Sequence, residues 1–164
     1  MVLDADALNM IADTDLLAKS QARIIITPHL AEMARLCQTT VADVAENQIE
    51  IARKFAGKHR VTVVLKSAIT VIADHRGVTY ICSRPNSGLA RGGSGDLLSG
   101  IIAGLAATGI PELHAAIAGV FLLAEAADLA RAELGADAMS ISEVASFIPK
   151  AFRSLRGDNV SESR

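Results

Sequence analysis

The stretch Gly92-Gly93-Ser94-Gly95-Asp96, followed by Leu97, Leu98, Ile101 and Ile102, reads as a glycine-rich turn that opens onto a helix. A helix start leaves amide donors unpaired and carries partial positive charge, so it attracts phosphate. Gly92, Gly93 and Gly95 present no side chain against a close backbone approach, and Ser94 adds a hydroxyl. An aspartate placed directly on such an anion site would repel a bound phosphate. Asp96 makes more chemical sense as a base that takes a proton from an attacking hydroxyl as a phosphoryl group arrives. The alternative is a flexible turn in which Asp96 only complements the helix dipole. No lysine follows the glycines, so this is not a Walker loop.

Working outward from that turn, residues 61–66 (Val-Thr-Val-Val-Leu-Lys) form a β-branched run that reads as a buried strand. Residues 70–73 and 78–81 flank Asp74-His75-Arg76-Gly77, a hairpin signal. Residues 23–27, closed by Pro28, read as a buried parallel strand, and Val2-Leu3 as the end of another. Helices are expected over 7–20, around Met33 and Leu36, and from Thr39 or Thr40 to Ala56 with Gly57 as terminator. Further helices are expected over 94–108, 111–134 and 142–155, the last capped by Ser142 and kinked at Pro149. Strands alternating with helices predict an α/β fold with a mainly parallel sheet.

Ligands of such sheets bind beyond the carboxyl ends of the strands. Four polar places fall there and are expected to converge on one edge: Asp4 with Asp6, Thr27-Pro28-His29, Lys66-Ser67, and residues 92–96. Each has two readings. Lys66, followed by Ser67 and Thr70, either reaches solvent or contacts nucleotide phosphate and ribose. His29 is a turn histidine or a substrate contact. Asp4 and Asp6 either organise Mg²⁺ through water, or Asp6 simply caps a helix.

Composition narrows the class. Of 164 residues 51% are hydrophobic and only 3% aromatic, which suits close-packed helices on β-branched strands better than a β-sandwich. A net charge of −2 gives no electrostatic reason for a nucleic-acid or membrane partner. Cys37 and Cys82 lie far apart and read as reduced thiols, and no cluster has zinc spacing. Met1 is followed at once by Val2-Leu3-Asp4 without a basic region, and the apolar stretch 97–110 is broken by Ser99, Gly100 and Gly104. A soluble, cytoplasmic protein is expected, with residues 1–156 as the folded part and 157–164 as a disordered polar tail.

Taken together, these segments resemble the NAD(P)H-hydrate dehydratase family of the ribokinase-like superfamily. They are Val2-Leu-Asp-Ala-Asp-Ala-Leu-Asn9, Thr27-Pro-His29 with Glu32-Met-Ala-Arg-Leu36, residues 64–74, and residues 86–105 around the glycine run. The resemblance implies a three-layer α/β/α domain and the repair of hydrated NADH or NADPH, a lyase reaction driven by ADP or ATP with Mg²⁺. By position it makes Asp96 the catalytic base. It places Lys66, Ser67, Ala68, Ile69, Thr70, Gly93, Ser94 and Gly95 at the nucleotide, and His29, Asn86 and Asp96 at the hydrated cofactor. The amides of Gly93, Ser94 and Gly95 would hold the phosphoryl group in flight.

Two local departures stand out. Leu30-Ala31 replaces the Pro-Gly common after the histidine, and Leu123 stands where a histidine is common. The resemblance also implies that the chain lacks the N-terminal third or so of the domain, and that the protein is a homo-oligomer, as a tetramer. Two other readings stay open: a ribokinase-like kinase of a sugar or hydroxymethylpyrimidine, and a nucleotide-binding remnant without turnover.

Overall fold

A β-branched residue on a strand points to the face opposite its neighbour, and that alternation builds both halves of this core. Ile25, Val64, Ile72 and Cys82 enter one apolar cluster, while Ile26, Val63, Leu65, Val71 and Ala73 enter the other. The computed structural model describes residues 1–84, 89, 91–135 and 139–156. Asn86 and the tail 157–164 lie outside the described residues.

The strands are β1 (Val2–Leu3), β2 (Ile25–Ile26), β3 (Thr62–Leu65), β4 (Thr70–Ala73) and β5 (Thr79–Cys82), ordered β1-β2-β3-β4-β5 in one sheet. β1 pairs parallel with β2 and β2 with β3, whereas β4 is antiparallel to both β3 and β5. Four strands therefore run one way and β4 alone opposes them. The links at 66–69 and 74–78 are too short for the crossover that a parallel neighbour needs.

One helical layer comprises α1 (Asp6–Ile11), α2 (Leu16–Lys19), α3 (Leu30–Cys37), α4 (Val41–Glu46) and α5 (Gln48–His59). The other comprises α6 (Ser94–Ala107), α7 (Glu112–Leu134), α8 (Ile141–Ser146) and α9 (Ile148–Arg156). Leu8, Met33, Val44 and Phe55 pack from the first layer, and Ile102, Val120, Leu122 and Val144 from the second. This is a three-layer α/β/α arrangement. By length and composition α7 could cross a membrane, and it is longer than the 97–110 stretch. Here it is the core helix of its layer, packed on β3, β4, β5, α6, α8 and α9. Arg84, just past β5, adds ion pairs to Glu125 (2.9 Å) and Asp128 (2.7 Å) of α7.

Several boundaries differ from expectation for local reasons. The helix expected over 7–20 is two helices, because Thr14 Oγ1 donates to the Ile11 carbonyl (2.9 Å) and accepts from the Leu16 amide (3.4 Å). The 39–56 helix likewise splits at Asn47; Thr40 caps its first part in a capping box with Asp43, as expected. Gly57 does not end α5; Arg60 does, in the left-handed conformation at φ 56°. Ser140, not Ser142, caps α8, because Glu143 three residues on closes the reciprocal box. Pro149 then lies in the first turn of α9, where its missing amide costs nothing.

Candidate active site

The carboxyl ends of β1, β2 and β3 meet the start of α6. Lys66 follows β3, and its amide donates to the Pro28 carbonyl at 2.8 Å, which sets it beside His29 on the neighbouring chain segment. Its ammonium reaches across to Asp4, past the end of β1, at 2.8 Å. The other Asp4 oxygen accepts from Ser99 Oγ of α6 at 2.7 Å. Ser99 in turn lies 3.1 Å from the hydroxyl of Thr27, which is fully buried. A Cβ on Gly95 would stand 3.2 Å from Lys66 Nζ and 3.5 Å from Asp4 Oδ2, so the helix start presses on the ion pair. The four expected places converge.

Charge at this junction is compensated. Burial pushes the Asp4 carboxyl up, but hydrogen bonds from Lys66 and Ser99, the Lys66 charge and the Ala5 amide together hold it below the ordinary carboxylate range. Asp4 is thus an anion with both oxygens engaged, which leaves it poorly suited to bind a metal. Asp6 accepts from Asn9 at 3.4 Å, and the cap position of α1 is Ala5, with no side-chain cap bond. The expected capping role of Asp6 is therefore not seen. Among the described residues no group of three His, Cys, Asp or Glu side chains is placed to hold a metal. Ala5 itself has φ 49° and ψ −121°, a strained conformation for a residue with a Cβ.

His29 caps α3. Its Nδ1 accepts from the amides of Ala31 (3.1 Å) and Glu32 (3.2 Å), while Glu32 accepts from the His29 amide at 2.8 Å. Nε2 lies 3.3 Å from Glu32 Oε1, so the ring turns its N–H edge toward that carboxylate. Leu30-Ala31 therefore sustains a regular helix start without the Pro-Gly. Ser67 Oγ lies 2.7 Å from Gln48 Oε1 and 2.6 Å from the Ile69 carbonyl, which folds residues 67–69 into the bend leading to Thr70. Ala68 is exposed, and Ser67, Ile69 and Thr70 are half-buried.

At the start of α6, Gly93 has φ 90° and is the cap residue, with no side-chain cap bond. The Ser94 amide closes onto the Arg91 carbonyl at 3.3 Å. The amides of Gly93, Gly95 and Asp96 make no backbone hydrogen bond among the described residues. Asp96 is exposed in the first turn, and its carboxylate has no hydrogen-bond or ion-pair partner among the described residues. The turn thus offers amide donors with a carboxylate beside them. Leu123 is buried in the core of α7.

Ser99 is the site residue the sequence reading missed, counted there only as a polar break in an apolar run. Its partners Thr27 and Asp4 lie 72 and 95 residues away. No local signal marks it.

Solved structures share the fold. A Bacillus subtilis ADP/ATP-dependent NAD(P)H-hydrate dehydratase co-crystallised with ATP/Mg²⁺ matches with TM-score 0.80 and 29% identity, over 93% of this chain and 54% of that one. An Enterococcus faecalis ribokinase-like superfamily protein matches with TM-score 0.77 and 24% identity, over 93% of this chain and 52% of that one. The fold, with a glycine-rich helix start at the carboxyl edge of the sheet, is that of a ribokinase-like α/β domain.

Sequence relatives narrow the class further. The bifunctional NAD(P)H-hydrate repair enzyme Nnr of Moorella thermoacetica is 44% identical over 155 residues, covering 94% of this chain and 29% of that protein. The ADP-dependent (S)-NAD(P)H-hydrate dehydratase of Neisseria meningitidis is 44% identical over 138 residues, covering 82% of this chain and 47% of that protein. The NAD(P)H-hydrate dehydratase family model matches residues 1–150. The chain belongs to that family. It spans less than half the length of these two curated relatives.

Proposed function

We propose that this chain acts in nucleotide-dependent repair of hydrated NADH or NADPH. The observation that carries the reading is the junction of Gly95 with Lys66. It sets a cation against a helix start whose Gly93, Gly95 and Asp96 amides make no backbone hydrogen bond among the described residues, with the exposed Asp96 carboxylate one residue on. Phosphate oxygens of ADP or ATP are drawn to those amides and to the Lys66 ammonium. Asp96 accepts the proton of the hydrate's hydroxyl, and the oxygen takes the terminal phosphoryl group of the nucleotide. Inorganic phosphate then leaves with a proton from the neighbouring carbon, which restores the ring double bond. Since Asp4 is engaged, Mg²⁺ is expected to arrive on the nucleotide phosphates, which it neutralises when bound.

The test is a spectrophotometric assay of the purified chain with hydrated NADH, Mg²⁺ and either ADP or ATP. Recovery of reduced-nicotinamide absorbance is expected, and Asp96→Asn should lower it by about 100-fold or more, the scale of losing a positioned base. Phosphorylation of a sugar or hydroxymethylpyrimidine with the hydrate untouched would sink this reading in favour of a kinase. Nucleotide binding without turnover of either would leave a binding remnant.

A further inference from the structure

Four groups from four separated segments form one directed hydrogen-bond chain behind the helix start. Ser99 Oγ stands 2.7 Å from Asp4 Oδ2, a charge-assisted distance, so its single proton goes to the carboxylate. Ser99 then offers only lone pairs to Thr27, which must donate across 3.1 Å; the alternative acceptor, the Leu3 carbonyl, is farther at 3.4 Å. On its other side Asp4 Oδ1 accepts from the Ala5 amide (2.9 Å) and from Lys66 (2.8 Å). The carboxylate is therefore held by donors from α6, from its own turn and from the end of β3, and cannot rotate without breaking one.

That arrangement has a consequence for Lys66. An ammonium has three N–H donors, and one is used on Asp4. Among the described residues the other two have no hydrogen-bond partner, and a Cβ on Gly95 would stand only 3.2 Å from the group. A lysine held this way has already lost the rotamer freedom that a surface lysine would lose on meeting a phosphate. Among the described residues the Ser99 hydroxyl makes no hydrogen bond to Lys66 or to the amides of Gly93, Gly95 and Asp96. It governs the ammonium only by fixing the carboxylate that tethers it.

We infer that Ser99 is a positioning residue for nucleotide phosphate: through Asp4 it holds the Lys66 ammonium at the level of the first turn of α6. Thr27 fixes Ser99 in turn. The inference rests on the nucleotide reading above and adds a residue to it. A purely structural tie makes a different prediction, lost stability with nucleotide affinity unchanged.

The test is calorimetric titration of the full chain with ATP and Mg²⁺, and separately with ADP, using wild type, Ser99→Ala, Ser99→Thr and Thr27→Val. Ser99→Ala is expected to weaken binding about tenfold, the scale of one hydrogen bond to a charged group. Ser99→Thr, which keeps the hydroxyl, should return affinity to about that of wild type. Thr27→Val, nearly isosteric, should weaken it less than Ser99→Ala. In turnover the change should fall on KM for nucleotide with kcat little altered. If Ser99→Ala does not fold by circular dichroism, Thr27→Val decides alone. Wild-type binding with unchanged affinity in the folded variants overturns the inference and leaves the nucleotide reading standing. No binding by wild type overturns both.

Discussion

Asp74 shows at the residue scale how one buried carboxylate organises a turn. Almost fully buried, it accepts from the amides of Arg76 (3.0 Å) and Val78 (2.9 Å) and from the Arg76 guanidinium (2.7 Å). Burial pushes its carboxyl up, but the Arg76 hydrogen bond and the two amides outweigh this and hold it below the ordinary range. A depressed native pKa adds stability that is present above the unfolded value, near about 4, and lost as pH falls through the lower native value. Asp74→Asn should therefore destabilise by about 1–3 kcal/mol at pH 7, and the gap should close toward pH 2 in urea titrations. An unchanged gap at both pH values would show that Asp74 does not work through its charge. The same logic of an anion fully served by donors separates Asp4 from Asp96. One is held by the scaffold, and the other is exposed.

Elements meet most closely where α6 crosses α7. A Cβ on Gly119 would lie 2.5 Å from Ile102 Cγ1, closer than packed atoms allow, and 3.5 Å from the Ile102 Cα. Ile102 is fully buried and β-branched, so it has few rotamers into which to retreat. Gly119→Ala should cost about 1–3 kcal/mol of stability despite alanine's better helix propensity. Adding Ile102→Ala should cost less than the sum of the two single changes, a coupling read from a double-mutant cycle of denaturation midpoints. Strict additivity would show that the two helices are not in contact there. The position matters because α6 carries the candidate anion turn, and α7 is the surface that sets its height above the sheet.

Across the whole molecule, the junction of sheet edge and α6 couples ligand binding to global stability, since a ligand that binds only the folded state stabilises all of it. With ATP and Mg²⁺ at about 100 times Kd, the gain of about 2.7 kcal/mol should raise Tm by about 5–10 °C for a chain of this size. Adenosine, which lacks phosphates, should give a much smaller rise in the same thermal-shift measurement. Equal shifts from both would place recognition on the base and sugar rather than on the glycine turn. On the proposed role of Asp96 as a base that does not hold the nucleotide, Asp96→Asn should keep the ATP-induced shift while losing turnover.

Much of this protein is written locally. Residues 62–65 form a strand because β-branched side chains suit a pleated surface buried on both faces, and the 92–96 run opens α6 because Gly93 readily takes the left-handed conformation of the cap position. Thr40 caps α4 through a neighbour three residues on, and the Ser140–Glu143 box is equally local, though Ser142 draws attention first. The end of α5 was less legible, because Arg60 adopts a conformation that glycine at 57 seemed better placed to supply. Sequence alone thus determined the alternation of strands and helices, the edge where polar residues gather and the turn with its Asp96. Only the tertiary structure decided what those residues do to one another. It paired Asp4 with Lys66 across 62 residues, brought Ser99 between Asp4 and Thr27, and set Gly95 against the ammonium. Caps and strand periods act over a few residues, whereas a hydrogen bond between chain-distant groups exists only once packing has brought them within about 3 Å.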